Sequence, residues 1–358
     1  MTGDAMTGDA ASQAWPRASV VMTVVNEERH LRHAVEKLLH QDYPGELDIV
    51  IAVGPSRDRT REVAQSLADA NGHVHVVDNP SGRTPSGLNA AIASTDCEII
   101  VRIDGHAMVP ADYVRTGVRT LQESGADNVG GIMAAEGTTE FERAVARAMT
   151  STFGVGGAAF HVGGEAGPAL TVYLGCFRRD ALDRVGGYDE TMVRAQDWEM
   201  NLRIRQTGGS VWFTPDMRVT YRPRPSLRAL ARQYHDYGRW RREVARRHPE
   251  TLSVRYLAAP VTVAAGGTGL VMVGIGAVAR QPALVVVGLA APLGYAAVNL
   301  AASAQSALTS PRLTAREARQ LPLVYGTMHG AWGLGFLRGL RRGVRRAEAE
   351  SGAGEGQG

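Results

Sequence analysis

Short β-branched apolar runs alternate with amphipathic stretches through the first hundred residues. Ala18–Val25 is such a run, and Asn26-Glu27-Glu28 then opens a segment with apolar positions at Leu31, Ala34, Val35, Leu38 and Leu39. That spacing predicts a helix. Leu47–Val53 reads as a second strand. Gly54-Pro55-Ser56-Arg57-Asp58 is turn chemistry, with Ser56 or Asp58 as cap for a helix reaching about Ala70. His73–Asp78 predicts a third strand, Pro85–Ala93 a short helix and Glu98–Ile103 a fourth strand. Strands alternating with helices predict a mostly parallel, Rossmann-like α/β sheet. Ligands of such sheets sit beyond the carboxyl ends of the strands, where Asn26, Glu27, Gly54 and Asp104 all fall.

The middle of the chain is less regular. Val129–Ala134 and Val172–Phe177 read as strands, and a helix from Arg179 stops at Gly186-Gly187. Between them Ser151–Gly167 carries six glycines and reads as a mobile loop, either ordering over substrate or lying plainly on the surface. The pattern then changes. Leu257–Ala279 and Pro282–Ala302 are apolar runs about as long as the roughly 20 residues that cross a hydrocarbon core. With only Arg280-Gln281 between them, residues 257–303 predict a transmembrane helical hairpin. Leu321–Leu340 predicts a third span or an in-plane helix. The expected organisation is a disordered tail over 1–16, a catalytic domain over 17–250, these membrane segments, and a basic, then glycine-rich, disordered tail over 341–358. Removing everything from residue 257 is expected to free a domain from membranes.

Charge changes the picture locally rather than globally. The formal net charge is only +3, yet Arg222–Arg247 holds nine arginines against Asp236 and Glu243. The adjoining apolar runs favour a membrane surface or a pyrophosphate over nucleic acid as the partner of that patch. Arginines in Ser303–Gln320 and in the tail fit cytoplasmic flanks. Cys97 and Cys176 are the only cysteines, which excludes a disulfide framework and a cysteine metal site. The N-terminus has neither a basic nor an apolar region of the signal-peptide type.

Two motifs carry candidate chemistry. Asp104-Gly105-His106 follows a strand and offers a hard carboxylate and an imidazole, a donor pair for Mg²⁺ or Mn²⁺ that leaves positions open for phosphate. Gln196-Asp197 opens a helix-like segment, where a carboxylate suits either a general base or a helix-dipole role. The ordered set Val25-Asn26-Glu27-Glu28, Ser56-Arg57-Asp58-Arg59-Thr60, Asn79 with Gly87-Leu88-Asn89, Asp104-Gly105-His106, Arg178-Arg179, Gly186-Gly187-Tyr188-Asp189 and Gln196-Asp197 resembles the family 2 glycosyltransferases of GT-A fold. It is most similar to their bacterial exopolysaccharide, succinoglycan-type members with C-terminal membrane helices.

The resemblance covers about residues 17–245. It implies inverting transfer of one sugar from a nucleotide-sugar, most simply a UDP-sugar, to a lipid-linked acceptor. A divalent cation would serve, and the enzyme would sit at the bacterial cytoplasmic membrane with its catalytic domain in the cytoplasm. It places Thr23, Val25, Glu27, Asn89, Asp104, Arg239 and Trp240 at the donor, Asp104 and His106 at the metal, and Asp197 as the base. There are departures. Val53 and Gly54 stand where the family often has two acids. Thr23 and Val25 replace a proline and a tyrosine, and Asp236 replaces a glutamine. Transfer onto polyprenyl phosphate and an inactive nucleotide-sugar-binding membrane protein are the alternatives. The loop after the first strand lacks the glycines of a nicotinamide enzyme and the glycine- and arginine-rich loop of a sugar nucleotidyltransferase.

Overall fold

The computed structural model describes residues 15–339. Most of the N-terminal tail and all of 341–358 lie outside these residues. Trp15 packs edge-on against Tyr43 at 5.5 Å, and the Tyr43 hydroxyl donates to the Pro16 carbonyl, so Trp15 and Pro16 belong to the fold.

Strands β1 (Ala18–Val24), β2 (Leu47–Val53), β3 (Val74–Asp78) and β4 (Ile99–Arg102) alternate with helices α1 (Leu31–Leu39), α2 (Thr60–Ala70) and α3 (Thr84–Ala93). All these pairings are parallel. β1, β2 and β4 are nearly continuously buried because helices cover both faces of the sheet. The elements then run α4 (Tyr113–Ser124), β5 (Asn128–Ala135), α5 (Glu140–Met149), α6 (Thr152–Val155), α7 (Ala159–Val162), β6 (Gly167–Pro168), β7 (Tyr173–Arg178), α8 (Arg179–Val185), α9 (Gln196–Gln206) and β8 (Val211–Tyr221). One eight-stranded sheet results, ordered β3-β2-β1-β4-β7-β5-β8-β6. Strand β7 runs antiparallel to β4 and β5, and β6 antiparallel to β8. The glycine-rich segment is not wholly a loop. It holds the one-turn helices α6 and α7, and Phe153 packs against Tyr325 at 4.9 Å and His329 at 4.8 Å.

Helices α10 (Leu227–Arg247), α11 (Val254–Val278), α12 (Pro282–Leu308), α13 (Ala315–Ala318) and α14 (Leu321–Arg338) complete the chain. Among the described helices, α11 and α12 are long and apolar enough to cross a membrane. Their outer faces are bare: Leu270 is 62% exposed and Val286 69%. They pair where Gly269 and Gly288 meet, because a Cβ at Gly288 would lie 2.5 Å from the Gly269 carbonyl oxygen. Polar side chains on α12 tie it to α14: Asn299 donates to the Pro322 carbonyl at 2.9 Å, and the Ser306 and Tyr325 hydroxyls share a bond of 2.7 Å.

Helix α14 packs into the α/β domain. Leu321, Val324, Tyr325 and Met328 share a core with Met133, Val145, Met149, Leu230 and Tyr234. Cutting at residue 257 therefore removes part of that core along with α11 and α12. The contact between α10 and α14 runs on glycine: a Cβ at Gly335 would overlap the His235 carbonyl, and one at Gly238 the Trp332 carbonyl. Gly335→Val forces backbones apart at an overpacking cost of about 1–3 kcal/mol. It is expected to lower the thermal midpoint of the detergent-solubilised protein, whereas an unchanged midpoint would refute this account of the contact.

Candidate functional site

The first two strand-end loops are each other's hydrogen-bond partners. Asn26 takes a φ of 57°, in the left-handed region that asparagine tolerates. Its amide donates to Ser56 Oγ at 3.1 Å, and its side chain accepts from the Arg57 amide at 2.8 Å. The Glu27 amide donates to Thr60 Oγ1 at 2.7 Å, the Glu28 amide to Asp58 at 3.2 Å, and the Arg59 amide to Glu28 at 2.7 Å. The Thr60 hydroxyl in turn donates to Asp58, and that bond holds the Asp58 carboxyl below its ordinary value. These motif residues thus build a rigid rim, from which Glu27 presents its carboxylate inward.

No acid fits at positions 53 and 54. Val53 is buried in the core, and a Cβ at Gly54 would come within 2.6 Å of Val25 Cγ2 and 3.0 Å of Gly82 Cα. Carboxylates reach the same place from other positions. A cavity of about 390 Å³ beyond β2 and β3 is lined by Asp58, Asp78, Arg61 and Asn79, with Arg61 paired to Asp78 at 2.7 Å. Asn79 also donates to Thr23 Oγ1 at 3.2 Å, linking this cavity to the one described next.

That larger cavity, about 1150 Å³, brings together Thr23, Val25, Glu27, Asp104, His106 and Asp197. At its centre is Arg102, the last residue of β4 and only 4% exposed. Its guanidinium bonds Asp104 Oδ1 at 3.2 Å through Nη2, and Asp197 Oδ1 through Nη1. It also lies 5.8 Å over the Tyr188 ring. Burial disfavours the Arg102 charge, but Asp104 and neighbouring groups more than offset that and hold its pKa above the ordinary value. Asp197 sits in the first turn of α9, directly after Ala195, whose φ of 61° is strained for a residue with a Cβ. His106 bonds Glu27 Oε1 through Nδ1 at 2.9 Å, and this bond raises the imidazole pKa.

Among the described residues no group of three His, Cys, Asp or Glu side chains forms a metal cage. Asp104 and His106 line the same cavity two positions apart and so fit a hard cation that takes its remaining ligands from phosphate and water.

Three expected donor residues lie outside the cavity. Asn89 donates to the Tyr188 carbonyl at 2.9 Å and to Glu190 at 3.0 Å, which fixes the turn leading toward Asp197. Trp240 is buried with Met192 and Val244 against Val193, Ala195 and Trp198, beneath that same segment. Arg239 bonds the Gly339 carbonyl at 3.3 Å and Asp236 at 3.5 Å, tying α10 to the end of α14. Their side chains pack and anchor the segments around the cavity. Sequence reasoning missed Arg102, whose signal was a charge inside the buried run Ile99–Ile103. It also missed Arg194, Arg224 and Arg255, which line the cavity with no carboxylate within ion-pair reach among the described residues.

A family profile described as "Glycosyl transferase family 2" matches residues 19–186. The "Succinoglycan biosynthesis protein ExoA" of Rhizobium meliloti (strain 1021) is 33% identical over 323 residues, 90% of this chain and 94% of the relative. The Methanococcus voltae "Dolichyl N-acetyl-alpha-D-glucosaminyl phosphate 3-beta-D-2,3-diacetamido-2,3-dideoxy-beta-D-glucuronosyltransferase" is 24% identical over 229 residues, 62% of this chain and 71% of the relative. Among solved structures, "Mannosyltransferase PcManGT from Pyrobaculum calidifontis in complex with GDP-Man and Mn2+" superposes with a TM-score of 0.57 at 19% identity, covering 89% of this chain and 86% of that one. That likeness is one of fold. A sheet whose strand ends gather two acids in one cavity, a profile over its first half and a relative matched almost end to end converge: the chain belongs to glycosyltransferase family 2.

Proposed function

We propose that the protein moves one sugar, with inversion, from a nucleotide-sugar to a lipid-linked acceptor at a membrane surface. The observation that carries this reading is that Asp104 and Asp197 meet across Arg102 in a cavity whose wall continues onto α11 and α12. The nucleoside lies toward β1 to β3, its base beside Asp78 and Arg61, and its diphosphate toward Asp104, His106 and Arg224. A divalent cation held by Asp104 and His106 would neutralise charge on the departing diphosphate. The complex of the structural neighbour with GDP-Man and Mn²⁺ supports that assignment and makes Mn²⁺ the first ion to try. Asp197 accepts the proton of the acceptor hydroxyl as its oxygen attacks the anomeric carbon and the bond to the diphosphate breaks.

The bare faces of α11 and α12 support membrane anchoring. A soluble core helix would be covered, whereas these expose Leu270, Val271, Val286 and Leu300 by more than half. The dolichyl phosphate in the name of the Methanococcus voltae relative supports an acceptor carried on a lipid. A cytoplasmic orientation and a UDP-sugar donor belong to the same proposal.

The test is nucleoside-diphosphate release by the purified full-length protein across UDP-, GDP- and dTDP-sugars, with Mn²⁺ or Mg²⁺ and a membrane-lipid extract. Metal-dependent release from one donor is expected. Absence of both release and donor binding across the panel would sink the reading. Asp104→Ala is expected to weaken metal-dependent donor binding by at least the roughly 10–100-fold typical of losing a residue that only supports a ligand. Unchanged affinity in the presence of metal would remove Asp104 from that role.

A further inference from the structure

Arg241 lies on the buried side of α10 and is only 7% exposed. Among the described residues no carboxylate lies within ion-pair reach of it, and its Nε and Nη1 are buried without a hydrogen-bond partner. Its neighbours on the helix are neutralised: Arg246 and Arg247 share Glu243, and Arg239 has Asp236. A buried cation without an acid is costly, and an apolar side chain of similar volume would avoid that cost. A guanidinium kept here in spite of it points to a use for its shape.

Three segments meet on that shape. The guanidinium carbon lies 4.5 Å from the centre of the Trp198 ring, in the first turn of α9 and next to Asp197. It lies 3.7 Å from the centre of the Tyr256 ring, in the first turn of α11. Nη2 donates to the Thr251 carbonyl at 2.6 Å and to its hydroxyl at 3.2 Å, in the turn Pro249–Thr251 that leads from α10 to α11. A flat guanidinium stacks on aromatic faces and keeps edge N–H groups for hydrogen bonds. Methionine offers no donor, and lysine no plane to stack.

The turn that carries Asp197 needs support from outside. Helix α9 has no side-chain cap, and it starts from Ala195 with its φ of 61°. Trp240 and Val244 of α10 pack with Met192 against Val193, Ala195 and Trp198, and Arg247 ties Asp189 at 3.0 Å. Trp198 extends this support, through Arg241, to the head of the membrane hairpin. Tyr256 is also touched by Arg255, whose guanidinium lies 4.7 Å from the ring centre. A Cβ at Gly156 would come within 2.9 Å of Arg255 Cδ, so the glycine-rich segment abuts the same stack.

We propose that Arg241 is a positioning residue. By stacking on both Trp198 and Tyr256 it fixes the turn that carries Asp197 to the first turn of α11, and the seating of the hairpin thereby sets the position of the base. This deepens the proposed transferase reading. The role of the base rests on that reading, whereas the link between α9 and α11 does not.

The experiment uses the full-length protein in nanodiscs, as wild type, Arg241→Met, Arg241→Lys, Tyr256→Leu and the Arg241→Met/Tyr256→Leu double variant. Hydrogen exchange of the peptide spanning residues 189–200 is followed by mass spectrometry with no substrate present. Then kcat and donor affinity are measured with the member of the UDP-, GDP- and dTDP-sugar panel that supports release, with Mn²⁺ and the membrane-lipid extract. Arg241→Met is expected to speed exchange over 189–200 by about 2–30-fold, the range that loss of a cation–π contact gives, and to leave exchange over 60–70 unchanged. It is expected to lower kcat by about 10–100-fold at unchanged donor affinity, the scale of a reacting group misplaced by about 1 Å. Arg241→Lys should recover part of both effects. Tyr256→Leu, which alters α11 alone and carries the test if Arg241→Met does not fold, should show the same pair of effects. The double variant should lose less than the sum of the two.

Unchanged exchange over 189–200 in both single variants would overturn the link between the helices. Faster exchange over 60–70 as well would make Arg241 a general stabilising residue and overturn its positioning role. Faster local exchange at a wild-type kcat would overturn the claim on the base, and strictly additive losses would show that Tyr256 does not act through Arg241. Absence of release and of donor binding in the wild type would overturn the transferase reading and the role of the base with it. The exchange result, which needs no substrate, would still decide the link.

Discussion

Asp197→Asn is expected to abolish sugar transfer while leaving nucleotide-sugar binding close to wild type. The substitution keeps the shape of the side chain and its place in the first turn of α9. It removes the capacity to take a proton and the charge that pairs with Arg102, which keeps Asp104 as its carboxylate partner. Asp197 Oδ1 is held by Arg102, which leaves the second oxygen to face an acceptor hydroxyl. Loss of a positioned general base costs about 10²–10⁴-fold in rate, and kcat should carry all of it. Donor affinity should hold, because Thr23, Val25, Glu27, Asp104 and His106 are untouched. The measurement is single-turnover transfer alongside calorimetric titration of the donor with Mn²⁺. Transfer near the wild-type rate would remove Asp197 from the chemistry. A parallel loss of donor affinity would make it a structural partner of Arg102 instead.

The elements that sequence reasoning found are those whose burial pattern is uniform. Strands β1, β2 and β4 are sandwiched between helices, so their apolar runs are unbroken and their ends are sharp. Strand β8 escaped notice. It carries Pro215 and alternates buried and exposed positions, and its pairing with β5 jumps from Gly130–Phe213 to Ile132–Arg218. The arginine-rich stretch read as a surface patch is mostly helix α10, and much of its charge is consumed internally. Glu243, 2% exposed, pairs with Arg246 and Arg247, and Arg247 reaches Asp189 at 3.0 Å. Helix α14 resembled a membrane segment by composition, yet its Gly335 serves close contact with α10 and its Gly333 with α11. Composition cannot distinguish the two uses, because small apolar residues suit both.

The site divides in the same way. Asp104, His106, Glu27 and Asp197 were legible because strand ends and helix starts confine them to one crevice. Asn89, Arg239 and Trp240 were assigned by their place in a motif, and none of the three lines the cavity. Position within a motif fixes where a residue stands along the chain, whereas the direction of its side chain depends on neighbours supplied by α8, α9 and α14. The arginines around the cavity were invisible for a related reason. In a chain with Lys37 as its only lysine, arginine is the default cation, and only tertiary structure shows which ones lack an acid.

Arg102 carries the second large effect. It is 5% exposed at its side chain, against 27% for Asp104 and 23% for Asp197, so the cation is the buried member of the triad. Replacing it with methionine of similar length leaves two carboxylates in one cavity with no cation between them. Removing one partner of a buried ion pair costs about 3–5 kcal/mol where the remaining charge is trapped. Here both carboxylates reach the cavity water, so the stability loss is expected at or below the low end of that range. The effect on function should be larger and of a particular shape. Without Arg102 nothing fixes Asp197 against the acceptor, and kcat is expected to fall by about 10²-fold or more, as for a misplaced base. The cation site should respond in the opposite sense, because a positive charge beside Asp104 has been removed. Mn²⁺-dependent donor affinity is therefore expected to be retained or tightened in Arg102→Met. Arg102→Lys keeps the charge without the two-pronged geometry and should recover stability more than rate. The measurement is kcat and the Mn²⁺ dependence of donor binding for both variants, normalised to the folded fraction. A merely structural role would leave both unchanged after that normalisation. A fall in kcat with steady or stronger cation affinity would identify Arg102 as the residue that positions the base and moderates the metal site.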